Sequence, residues 1–175
     1  MSIVCFASRA IYAVCCPCML IVGICNPCGE DDAYNGLYLT KQEIAGLVRE
    51  KTLLQTPIKT EHAGAAIGSV VSAHVTEAGK LQCVMELDEK HAASCAVRGF
   101  IRDGLAPELS LGYVVDVTHS SNRMQAGAKR VLEISVVKKG AREGCYILGY
   151  EEGGRTYTKA AFAESDWGRF CHGRC

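Results

Sequence analysis

The sequence predicts a mainly β, α+β fold, and three observations carry the reading. Short runs of alternating or wholly apolar residues, bounded by Gly, Pro, Asn or Asp, recur at 19–25, 36–39, 56–60, 67–75, 81–87, 106–117, 130–137 and 145–150. Helical periodicity with a capping residue occurs at only two places, near 40–51 and 89–103. At 175 residues and 49% hydrophobic content, the chain is most simply one domain with a real core, and it is not a disordered segment.

Nineteen basic residues balance nineteen acidic ones. Nucleic acid is therefore not expected as a partner. Eleven cysteines are present, six of them within the first 28 residues. Their uneven spacing does not suit a secreted disulfide framework, so most read as reduced, small hydrophobic residues.

The run 11–25 is the most apolar, but it is short and interrupted by Pro17, and only Arg9 supplies a basic charge before it. A membrane span or signal peptide is therefore not expected. The C-x-x-C pairs Cys15–Cys18 and Cys25–Cys28 could supply four zinc thiolates, but the MLIVGI between them reads as a buried strand. Residues 1–18 are read as a Cys-rich leader, 19–152 as the folded domain and 153–175 as a tail or linker. An anchored or zinc-binding protein organised by the leader is the alternative.

Thr40 and Glu43 form a capping box, and Ile44, Leu47 and Val48 make one apolar face of a helix ending near Lys51. Pro57 starts an extended segment or sits on an edge. His62 then precedes the small-residue turn AGAA and a strand over 67–75. Imidazole is the natural general base near neutral pH, although a surface loop histidine would look the same. His74, His91, His119 and His172 compete with it. Residues 77–79 turn into the returning strand 81–87. Asp88 is placed to cap a second helix, whose apolar face would be Ala92/Ala93, Ala96/Val97 and Phe100/Ile101.

In the strand 106–117, Ser110 and Gly112 share one face, and Gly112 lets another group approach beside Ser110. That suits a nucleophile, and also an ordinary half-buried serine. A polar loop is expected over 118–129. In RVLEISVV, Glu133 falls within an apolar run, where a carboxylate needs a partner or an exposed position. A histidine partner would make it the third member of a hydrolase triad. The turn KKGAREG that follows could present backbone N–H groups and an arginine to an oxyanion, or be a solvated hairpin turn.

Together, PIKTEHAGAAIGSVV around His62, LSLGY around Ser110 and RVLEISVVKKGAREG around Glu133 resemble the capsid maturation proteases: the herpesvirus assemblins and the prohead proteases of tailed phages. GLYLT at 36–40 is similar to the segment leading into the assemblins' first helix. The resemblance runs from about Leu20 to Glu151. Two departures stand out. Glu133 occupies the place of the assemblins' second histidine, as in the phage pattern, and Ala141 stands beside Arg142 where paired arginines are usual.

The resemblance implies a closed or partly open β-barrel of about six or seven strands with a few flanking helices. It implies a serine endopeptidase with Ser110 as nucleophile, His62 as base and Glu133 as orienting carboxylate, supported at the oxyanion by Ala141 and Arg142. The substrate would be an internal scaffolding protein, and the shell protein an indirect partner. The location would be the interior of an immature capsid, in the host nucleus if herpesvirus-like. Assemblins act as homodimers, but the further helices that build their interface are not evident in the 24 residues after Glu151. YTKAA at 157–161 is similar to a release site, with cleavage between Ala160 and Ala161. No metal or cofactor is expected. A barrel that associates with capsid or scaffold without catalysis is the competing reading.

Overall fold

The computed structural model describes residues 18–29, 33–34, 36–103, 107–120 and 123–158. Among the described residues, eight strands and two helices follow one another: β1 (Met19–Asn26), α1 (Lys41–Arg49), β2 (Pro57–Thr60), β3 (Ala63–Val75), β4 (Leu81–Leu87), α2 (Ala92–Arg102), β5 (Glu108–Ser120), β6 (Arg123–Val137), β7 (Ile147–Glu152) and β8 (Arg155–Thr158). The strands form one mixed sheet in the order β5-β6-β2-β3-β4-β1-β7-β8. Its neighbours pair antiparallel except β2 with β6, which run parallel. An isolated bridge from Glu108 to Tyr146 links the start of β5 to the chain entering β7.

The continuous apolar run of β1 has a physical cause: every residue of the strand is buried. Met19, Ile21 and Cys25 enter the main core with Ile58, Ile67, Met85, Leu109 and Ile134. Leu20, Val22 and Ile24 turn the other way, onto a second cluster with Val84 and Leu148. A strand buried on both faces cannot alternate with polar residues. Burial pushes the Cys25 thiol well up, reinforced by its hydrogen bond with Cys83, so it stays a protonated core group.

Helix α1 starts as expected. Thr40 and Glu43 close a reciprocal capping box, and Ile44 plugs the core. The helix stops at Arg49, and Lys51 adopts a left-handed conformation. Helix α2 differs from the sequence expectation. It begins later, capped by His91, whose Nδ1 accepts from Ala93 N, while Asp88 binds Lys90 N in the turn before it. Its buried face is Ser94, Val97, Arg98 and Ile101, which leaves Phe100 exposed. Arg98 on this face, and Arg102 beside it, both reach Glu152 on β7.

Other expectations are corrected. Residues 36–39 form no strand; Leu37 exchanges backbone hydrogen bonds with Tyr34 as an isolated bridge. The expected polar loop at 118–129 is largely strand, with β5 and β6 pairing out to Ser120 and Arg123. The strand count rises to eight because Gly153 and Gly154, both at positive φ, fold β8 back on β7, carrying the sheet to Thr158. Pro57 starts its strand, the first of its two expected places, and that strand is interior. The parallel ladder with β6 begins only at Ile58, so the missing N–H is not needed. Most of the Cys-rich leader, along with Ala160 and Ala161, lies outside the described residues.

Candidate active site

His62 sits in the turn of the β2–β3 hairpin. Thr60 pairs with Ala63, which leaves Glu61 and His62 as the two central residues, at φ +48° and +59°. Both lie in the left-handed region, which fits a type I′ hairpin but costs roughly 1–2 kcal/mol per non-glycine residue. The AGAA segment expected to turn is instead the start of β3.

Strand β6 holds this costly turn in place. Glu61 N donates to Val136 O (3.1 Å), and Lys138 N donates to Glu61 Oε1 (2.9 Å). His62 N donates to Ser135 Oγ at 3.1 Å. The parallel β2–β6 pairing, with Lys59 opposite Ser135, brings the turn to this height.

Glu133 lies two residues earlier on the same face of β6. It is 9% exposed, and both carboxylate oxygens are satisfied. Oε1 meets His62 Nδ1 at 2.6 Å, and Oε2 accepts from Ser135 Oγ at 2.7 Å. An ionised carboxylate is tolerated in an apolar strand only on such terms. The His62 ring itself remains half exposed, with 47% of its side-chain surface open. A carboxylate on Nδ1 selects the tautomer with its proton there and leaves the Nε2 lone pair free.

Ser110, 5% exposed on β5, is the direct cross-strand partner of Ser135, just as Gly112 is of Glu133. Opposed residues carry their β-carbons roughly 4.5–5.5 Å apart on one face. Ser110, Glu133 and the main chain of His62 therefore border the same buried Ser135 side chain. The group approaching Gly112 is the Glu133 carboxylate itself. A register shift between Gly112 and Tyr113 leaves Leu132 bulged and exposed rather than on the buried face with Ile134 and Val136.

The turn after β6 wraps around the residues just before Ser110. Gly140 N donates to Glu108 Oε2 at 2.6 Å, and Leu109 N donates to Cys145 O at 3.0 Å. Ala141 is exposed within this turn. Arg142 is buried, and its guanidinium donates to Leu37 O (3.1 Å) and Tyr113 Oη (2.9 Å) while lying over the rings of Tyr34 and Tyr113. Through these contacts it braces the turn.

Two other histidine side chains are described, and both lie elsewhere. His74 faces Gln82 on β4, and burial holds its imidazole below the usual range against the Gln82 hydrogen bond. His91 caps α2. The His119 side chain and His172 are not among the described groups. No cluster of three or more His, Cys, Asp or Glu suited to a metal occurs among the described residues, and no described helix is long and apolar enough to cross a membrane. Sequence reasoning missed Ser135, Glu108 and Glu61. Only Ser135 had a readable signal, its period-2 position beside Glu133.

No protein-family model and no curated protein sequence matches the chain. Among solved structures, the KSHV protease, determined with a hexapeptide phosphonate inhibitor, matches at a TM-score of 0.53 and 17% identity over 77% of this chain. The match spans 65% of that chain. The varicella-zoster virus protease matches at 0.49 and 14% identity, over 77% of this chain and 64% of its own. The fold is thus herpesvirus-protease-like: a mainly β, eight-stranded mixed sheet with two helices.

Proposed function

We infer that this chain is a viral serine endopeptidase of the capsid-maturation type, acting on an internal scaffolding protein. The observation that carries the reading is the 2.6 Å contact between His62 Nδ1 and Glu133 Oε1, whose carboxylate also holds Ser135, the cross-strand partner of Ser110. Ser110 Oγ attacks the scissile carbonyl while His62 Nε2 takes its proton, later returned to the leaving amine. Glu133 fixes the tautomer and stabilises the imidazolium. The oxyanion is met by backbone N–H groups near Ala141, in a turn that Arg142 and Glu108 hold against β5. The shell protein would be an indirect partner and a second copy of the chain the partner in an active dimer. The inside of an immature capsid is where such an enzyme would work.

The test is covalent labelling with a peptidyl phosphonate, followed by peptide mapping. The expected adduct is on Ser110, with labelling and scaffold cleavage both abolished in Ser110→Ala and His62→Ala. Cleavage that survives Ser110→Ala would remove the assignment.

A further inference from the structure

The geometry points to Ser135 as the positioning residue of the site, a single hydroxyl that ties the main chain of the base to the carboxylate that orients it. This rests on the peptidase reading for its kinetic consequence, though not for its structural one.

A serine hydroxyl has one proton to give and lone pairs to receive. At position 135 the receiving side is occupied by His62 N, 3.1 Å away. The proton is directed at Glu133 Oε2, 2.7 Å away. With Oε2 engaged there, Oε1 is the oxygen presented to His62 Nδ1. The three contacts close a ring through the His62 backbone, Ser135, Glu133 and the His62 imidazole, so the ring plane and the carboxylate plane are set together. The need for such a tie is specific to this hairpin. His62 is held at φ +59°, a conformation its own side chain disfavours, and its N–H faces Ser135 rather than water. Ser135 has no exposed surface, so solvent cannot replace the hydroxyl. Its place directly opposite Ser110 puts this bracket beside the proposed nucleophile without making it a reacting group.

Removing the oxygen leaves a carboxylate oxygen and a backbone donor without their partner, and the imidazole loses its fixed orientation. Ser135→Ala is expected to lower kcat roughly tenfold to hundredfold, the range set by a lost hydrogen bond to a charged group, with KM within about twofold. Ser135→Thr, which keeps the hydroxyl, is expected to recover most of the rate.

The deciding measurement does not depend on turnover. In full-length protein carrying Ser110→Ala, proton NMR should show a low-field resonance from the His62 Nδ1 proton held against Glu133. Ser135→Ala should abolish it or broaden it by solvent exchange, and Ser135→Thr should restore it. An unchanged resonance in Ser135→Ala overturns the inference, as does a kcat within twofold of the parent. Should the parent show the resonance but no Ser110-dependent hydrolysis, the peptidase reading fails, and the loss or survival of the resonance still decides the role of Ser135.

Discussion

Gly112 and Glu133 face each other across the β5–β6 pair, and a β-carbon at position 112 would overlap the Glu133 carboxylate. The missing side chain beside Ser110 is therefore the space into which the orienting carboxylate folds. Gly112→Ala is expected to push Oε1 off His62 Nδ1, destabilising the fold by about 1–3 kcal/mol through overpacking. Peptide hydrolysis should fall more steeply than stability, because the displaced group is the one that holds the base. Denaturant unfolding measured beside hydrolysis checks this, and a variant with normal hydrolysis would show that the carboxylate has other room.

Glu133→Gln separates charge from shape. The amide can still accept from Ser135, but its NH2 group can also face Nδ1 and reverse the imidazole tautomer, carrying the proton to the atom that must be the base. Hydrolysis is expected to drop by about 10³–10⁴-fold with the fold retained. A loss of less than tenfold would show that Glu133 is a structural partner of His62 and not its orienter.

How much of this was legible in the sequence depends on how local each cause is. The α1 capping box is written within four residues, Thr40 to Glu43, and forms as read. Strand β4 appears at its expected limits because its apolar run ends at polar turns on both sides. From the residues themselves, the pairing of His62 with Glu133 was readable only as chemistry: a buried carboxylate needs a cation or donor, and a histidine was one candidate; it was the resemblance that named the two as partners. Nothing local says that β2 lies parallel to β6, which is what brings the two together. Position 98 shows the same limit. An arginine on the buried face of α2 contradicts the apolar pattern, and its partner Glu152 lies 54 residues away. The residues after 152 looked like a tail because four exposed residues of β8 carry no hydrophobic period, and pairing with β7 makes them a strand.

Arg142 joins the turn after β6 to Tyr113 on β5 and to Leu37. Lysine cannot reproduce that fork or its stacking on the tyrosine faces. Arg142→Ala and Arg142→Lys are both expected to lower kcat about tenfold to a hundredfold by loosening the backbone donors near Ala141. Tyr113→Phe removes one charge-assisted bond and should cost about 1–2 kcal/mol of stability with a smaller loss of rate. Thermal unfolding and steady-state kinetics on the three variants distinguish a brace from a group that touches the oxyanion. A brace predicts that stability and kcat fall together.

The last prediction concerns acid. Glu152 receives Arg102 and Arg98 from α2, and the Arg102 hydrogen bond above all lowers its carboxyl to about 2 from an ordinary 4.5, against the opposing pull of burial. A carboxylate whose folded value lies below its unfolded one binds fewer protons in the folded state. It therefore contributes stability above pH 4.5, and that contribution is lost as the pH falls from about 4.5 toward 2. The ceiling is on the order of 3 kcal/mol, reduced because the Arg102 side chain is 46% exposed and screened by solvent. Glu152→Gln is expected to lower stability at pH 7 and to flatten the acid limb of the stability profile between pH 5 and about 2. It should also loosen α2 from β7, since the Arg98 and Arg102 ion pairs to Glu152 would both be lost. Urea unfolding at pH 7 and pH 3 measures both effects. Equal losses for parent and variant on acidification would mean that another carboxylate controls the acid limb.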